Sequence, residues 1–279
     1  MADYLQKAGI ADYWQMTFLF LGVLVVLCNV ALMFVPETGT AERAASQRVA
    51  QDAMADKMGG QGPLVKLFSF VVTTVLDPLL SFFRKNGMQI GIMILAFIFL
   101  FKIGEAFMGK MSIVFYKEVG FSKSDIALYS KGLGWITTVT FTLIGGFFAL
   151  RTGVVRALLI SGIAMAGTNI LFSVLAWVGP NELLFAFAVI VDDLAAAFAT
   201  VAFVTFISLL VDRNYTATQY ALLASIGTLG RTLLASSSGA LVDGLGGDWG
   251  LFFILTAIMV IPSLLLLWKL RHKLQNLAK

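Results

Sequence analysis

"MQIGIMILAFIFLFKIGEAFM", running from Met88 to Met108, is the stretch on which the fold turns. A helix needs about 20 predominantly apolar residues to cross roughly 30 Å of hydrocarbon, and this run supplies them. It reads as a transmembrane helix, yet it carries Lys102 and Glu105 three residues apart. Two charges inside a segment suited to lipid require an explanation.

Composition points the same way. The chain of 279 residues is 59% hydrophobic and 13% charged, with mean hydropathy +0.89, which leaves too little polar surface to cover a water-soluble globule. The fold class expected is an all-α membrane protein. Cys28 is the one cysteine and His272 the one histidine, so disulfides, a Cys/His metal site and a histidine relay all lack their residues. No cofactor and no enzymatic activity are expected, because no nucleophile stands with a base partner.

Further span-length runs lie at about 15–35, 127–150, 156–178, 183–211 and 218–242, with a seventh at 250–268. The first has acidic Asp3 and Asp12 before it and ends at Pro36-Glu37 without a small-residue cleavage motif, so it is read as a span, not a signal sequence. Segment 63–85 has apolar residues at helical spacing but is broken by Lys66, Asp77 and Pro78, and is expected to be an amphipathic helix lying in the membrane interface. Residues 41–62 are polar and read as a cytosolic linker. With this assignment thirteen Lys and Arg fall on one side and four on the other. The excess of basic residues on cytoplasmic loops then places the N-terminus outside and the C-terminus, with its basic tail 269–279, inside.

Six charges remain within spans: Lys102, Lys131, Arg231, Glu105, Asp192 and Asp193. A charge at the bilayer centre costs about 2.5–3.5 kcal/mol, and such residues normally face a bundle interior or a hydrated cavity. Helical spacing puts Lys131 on a face with Trp135, Thr138, Thr142 and Gly145, and Arg231 with Ala224, Gly227, Thr228 and Ala235. Asp193 runs along Ala196, Ala197 and Thr200, and Asn169 aligns with Gly162, Ala166 and Ser173. Stripes of small and hydroxyl residues mark helix-facing surfaces, so the six charges are expected to share one polar compartment. Isolated ion pairs locking helices together are the simpler alternative for any one of them.

Beyond these patterns, "GGFFALRTGVVRAL" carries Gly146, Arg151, Gly153 and Arg156 at the spacing of the G-x-x-x-D-R-x-G-x-x-R loop motif, and so resembles the major facilitator superfamily. Leu150 stands where that motif has an acid. Asp12-Tyr13-Trp14 with Phe18, and Asp248-Trp249 with Phe253, each open a span in similar fashion, as the sixth and twelfth helices of a two-half transporter would. The stretches "FYKEVGFSKSDIALYSKGLG", "YTATQYALLASIGTLGRTLLASSSG" and "LDPLLSFFRK" are similar to the AmpG-type muropeptide permeases, from about Leu76 to Phe253.

That resemblance implies a proton-coupled importer of anhydro-muropeptides for cell-wall recycling in the bacterial inner membrane. It covers the last seven helices: 1–35 as the sixth, 36–87 as the linker with its interfacial helix, and 88–268 as the C-terminal six-helix half. The chain is accordingly expected to be a truncated form that needs a separate N-terminal half. Glu105, Asp192 and Asp193 are the expected proton-coupling carboxylates. Lys102, Lys131 and Arg231 would line the cavity and hold anionic groups of a glycopeptide, Asn169 and Gln219 its amides or hydroxyls, and Trp135 would stack on a sugar. Gln219 lies near the end of its span, where a packing role is equally open. A non-transporting half-permease or membrane scaffold, and a facilitator for another large anion such as acyl-coenzyme A, are the rival readings.

Overall fold

The computed structural model describes residues 12–34, 72–212 and 215–277, with isolated positions between 49 and 70. The described elements are helical throughout, and six helices are long and apolar enough to cross a membrane among the described residues. The protein is an all-α, multi-pass membrane protein. It divides into two units, Met1–Phe70 and Val71–Lys279.

The first unit contains α1 (Tyr13–Met33), which is apolar on every face and exposes its side chains all round, as a helix does whose solvent is lipid. Asn29 Nδ2 donates a hydrogen bond to the carbonyl of Val25 one turn earlier at 2.9 Å, so this amide does not face hydrocarbon unpaired. Trp14 stacks on Phe18 with centroids 6.0 Å apart. The linker expected at 41–62, and most of 63–71, lie outside the described residues.

The second unit opens with a π-helical turn, Val72–Leu76, leading into α2 (Asp77–Asn86). Pro78, expected to break the segment, sits in the first turn of α2, where its missing N–H has no partner to lose. Gly87 then turns the chain, with φ near 80°, into α3 (Met88–Leu100). The run expected to be one span ending near 108 is interrupted at Phe101-Lys102 and continues as α4 (Ile103–Val119). A capped turn, Lys123–Asp125, and a π-helical stretch, Ile126–Leu133, introduce α5 (Gly134–Thr152). There follow α6 (Val154–Val178), α7 (Glu182–Leu210), α8 (Thr216–Ala235), the short α9 (Ser238–Gly244) and α10 (Trp249–Leu277).

One expectation is corrected here. The run 218–242 is not a single span: it breaks at Ser236-Ser237, and α8 falls short of the apolarity of the six long helices because Gln219, Arg231 and several Thr, Ser and Gly residues interrupt it. It belongs to the bundle nonetheless, packed along α3 and α4. Gly230 makes this possible, since a Cβ there would collide with the carbonyl oxygen of Phe99. At the centre α6 packs between α7 and α10, and α5 lies on the outer side of α7.

Two dry clusters fill the bundle. At the end where α4 runs into the capped turn, Phe115, Tyr116, Phe172, Phe185, Trp249, Phe252 and Phe253 pack ring on ring. Toward the other end, Phe97, Phe101, Phe203, Phe206, Leu158 and Leu267 form the second cluster. Along α6 the second cluster reaches Met165 and the first resumes at Phe172; along α7 the first stops at Val189 and the second starts at Ala195. Thr168 and Asn169 of α6 and Asp192 and Asp193 of α7 fall in those gaps.

Candidate functional site

The break between α3 and α4 places the first pair. Lys102 occupies the N-cap of α4 with φ −97° and ψ 17°, a sparsely populated backbone region in which many functional residues sit. From there its Nζ lies 2.8 Å from Glu105 Oε2 and donates a hydrogen bond to Thr200 Oγ1 on α7 at 2.7 Å. The other Glu105 oxygen stands 3.9 Å from Arg231 Nη2 on α8. One carboxylate thus faces two cations, and three helices meet at it.

Asp192 and Asp193 address different neighbours, as adjacent residues on a helix must. Asp192 accepts a hydrogen bond from Thr168 Oγ1 on α6 at 2.8 Å, and Asp193 a short one from Thr137 Oγ1 on α5. Glu105 and Asp193 lie within electrostatic reach of Asp192. Asn169, next to Thr168, is buried, and its Nδ2 has no hydrogen-bond partner among the described residues. That nitrogen would lie 3.0 Å from a Cβ built on Gly104, so the absence of a side chain at Gly104 leaves the amide room beside the Lys102–Glu105 pair.

Five of the six expected charges therefore gather: Lys102, Glu105 and Arg231 by ion pairing, Asp192 and Asp193 at the same depth through threonines. The side chain of Lys131 lies outside the described residues, although its backbone belongs to the π-helical stretch, a feature frequent at functional sites. The Thr137, Thr168 and Thr200 hydroxyls are the residues that sequence reasoning missed as partners. A hydroxyl is isosteric with apolar neighbours in a helical pattern and betrays its role only once the helices are assembled.

Trp135 is exposed on α5. Gln219 is buried at the far end of α8; its Nε2 donates to Pro78 O at 2.8 Å and its Oε1 accepts from Asp212 N at 2.6 Å. Both ends of that amide hold backbone, so the packing alternative is the one its geometry matches. In the loop motif Gly153 adopts φ near 83°, a conformation open to glycine, and turns α5 into α6. Arg151 and Arg156 are exposed there, with Arg151 stacked 4.5 Å over the Phe147 ring, and Gly146 lies half-buried one turn before it. Exposed alongside Arg231, Thr228 and Thr232 open a cavity of ≈ 650 Å³ on the face of α8. Arg231 stands half-exposed on the same helix as that cavity, while the Lys102 and Glu105 side chains are largely buried. Among the described residues no group of His, Cys, Asp and Glu is placed to hold a metal ion.

No family profile matches the chain. Among curated proteins it is 30% identical over 260 residues to "Putative transporter AmpG 4" of Rickettsia conorii, covering 93% of this chain and 57% of that protein. It is 31% identical over 202 residues to the "Anhydromuropeptide permease" of Escherichia coli K12, covering 72% of this chain and 40% of that protein. A "Putative transporter AmpG 1" of Rickettsia bellii is 30% identical over 205 residues, half of its own length. The chain spans about half the length of the curated relatives it matches.

Proposed function

Proceeding from the chain's homology to part of the AmpG-type transporters, we propose that it supplies the C-terminal half of a proton-coupled importer of anhydro-muropeptides. In this reading 88–268 is the six-helix half of a major facilitator fold, 1–35 the preceding helix, and a separate N-terminal half closes the solute path against α8. The N-terminus is periplasmic and the basic tail cytoplasmic, in keeping with the bias of Lys and Arg.

The observation that carries the reading is the carboxylate of Glu105 held between Lys102 and Arg231, the latter half-exposed on α8. Protonating Glu105 removes the negative charge that both cations face. Arg231, half-exposed and at the longer distance, is then free to receive a carboxylate of the peptide, and Asn169 offers an amide donor that no group among the described residues uses. Glu105, Asp192 and Asp193 are the proposed proton carriers. Lys102, Lys131 and Arg231 are the proposed anion contacts, with Trp135 a stacking surface for the sugar.

The test is uptake of labelled anhydro-muropeptide by cells that lack their own permease and express this chain together with an N-terminal half. Uptake abolished by a protonophore, and reduced at least about tenfold by Glu105→Gln, is the expected result. Uptake indifferent to Glu105→Gln, Asp192→Asn and Asp193→Asn removes the coupling role.

A further inference from the structure

The cavity of ≈ 650 Å³ on α8 is lined by one face of that helix. Tyr220, Ala224, Thr228 and Thr232 recur at helical spacing, with Ala221 and Ser225 beside them, so the lining is aromatic toward the α7–α8 turn and rich in hydroxyls toward Arg231. The two alanines end at Cβ and give it a shallow apolar floor. Thr228 Oγ1 donates to Ala224 O at 3.0 Å, and its lone pairs stay available to a donor. The hydroxyls of Ser225 and Thr232 form no hydrogen bond among the described residues and can each give and accept one. Beside them stands Arg231, half-exposed, with Glu105 no closer than 3.9 Å to its guanidinium.

An aromatic ring, three hydroxyls and an apolar floor are the chemistry that recognises a carbohydrate, whose C–H faces pack on a ring and whose hydroxyls trade hydrogen bonds with Ser and Thr. Resting on the importer reading above, we propose that this face of α8 is the subsite for the sugar moiety of the anhydro-muropeptide, with the attached peptide directed at Arg231. At 1.5 Å per residue Tyr220 and Arg231 lie about 16 Å apart along the axis, which separates a stacking surface at one end from an anion contact at the other. Tyr220 adds a second aromatic surface to Trp135 and sets the order of contacts: sugar toward the α7–α8 turn, peptide carboxylate toward the charged layer.

Charge and polarity favour this occupant over a lipid tail, which has nothing to give the Ser225 and Thr232 hydroxyls and no anion for Arg231. A helix of the N-terminal half seated on Ala221 and Ala224 is the other arrangement that small residues serve. It would leave the sugar no surface to bind.

The purified full chain, in micelles of a detergent without a sugar head group, is titrated with anhydro-muropeptide and with the peptide-free sugar released from it, and contact is read by saturation-transfer NMR. Saturation should reach the sugar protons of both ligands. Affinity for the peptide-free sugar should fall about tenfold in Thr228→Val/Thr232→Val, the scale of one or two hydrogen bonds, and by a similar factor in Tyr220→Leu. Arg231→Gln should weaken the whole solute by more than it weakens the sugar alone. No saturation of the sugar by the unaltered chain, or an affinity that the double threonine variant leaves unchanged, overturns the proposal. Thr228 and Thr232 are exposed, so that variant decides the matter even where Tyr220→Leu does not fold. Uptake is read separately: a bound sugar without uptake removes the importer role and keeps this subsite, whereas uptake without sugar contact removes the subsite and keeps the role.

Discussion

Lys102 Nζ donates a hydrogen bond to Thr200 Oγ1 across 2.7 Å, from the break within one apolar span, Met88–Val119, to the middle of another that runs unbroken. The same ammonium sits 2.8 Å from Glu105, so the break is held in place by its own charge. Thr200→Ala should cost about 0.6 kcal/mol, and at most about 1.7, the range of single interhelical hydrogen bonds in membranes. Lys102→Met should cost more, about 3 kcal/mol, because Glu105 is left with the more distant Arg231 alone. Adding Glu105→Gln to Lys102→Met should recover most of that loss. Reversible unfolding in mixed micelles measures all three, and a double variant no more stable than Lys102→Met would break the argument.

Two glycines should respond differently to the same methyl group. A Cβ on Gly104 would lie 2.7 Å from Val260 Cγ2, the tip of a side chain, so Gly104→Ala should cost about 1–3 kcal/mol and be relieved by Val260→Ala. At Gly230 the obstacle is the main-chain carbonyl of Phe99, and no trimming of side chains should rescue Gly230→Ala. Thermal inactivation of the four variants distinguishes the cases.

Asn169 invites the opposite sign. Its Nδ2 is buried without a partner, so Asn169→Leu, close in volume, should leave the fold as stable or raise stability by about 1 kcal/mol. Uptake by the assembled transporter should nonetheless fall. A substitution that costs stability and spares transport would mark Asn169 as a packing residue.

Water access should be one-sided. With exposed Cys28 first replaced by serine, cysteines introduced at Thr228 and Thr232 should react rapidly with a membrane-impermeant thiol reagent, and cysteines at Phe172 and Phe253 slowly or not at all. Equal rates at all four positions would contradict a charged layer open only along α8.

Much of this architecture was legible in the sequence because apolar length is nearly sufficient to define a membrane helix. The runs at 156–178 and 183–211 became α6 and α7 within a residue or two. Interruptions were harder to read. Nothing in the local pattern separates a continuous helix at Phe101-Lys102 from a broken one, since the choice depends on whether Thr200 waits on another helix to receive the ammonium. The split at Ser236-Ser237 could not be seen either, because both serine hydroxyls turn back onto carbonyls of their own helix, Leu233 and Leu234, and in a linear reading look like ordinary membrane-helix serines. The charges were recoverable as a set because each is individually costly in lipid. Their threonine partners were not, and for Gln219 the sequence left a solute contact and a packing role both open: the amide bonds the backbone of α2 and of the α7–α8 turn.

The two aromatic clusters carry a consequence for the route taken by protons. They cap the charged layer above and below within Val71–Lys279, so a hydronium ion travelling along the bundle axis would meet a stack of phenylalanine rings from either direction. Under the proposed coupling role, delivery to Glu105 would come sideways, along the flank of α8, and its timing would be governed by whatever covers and uncovers that flank.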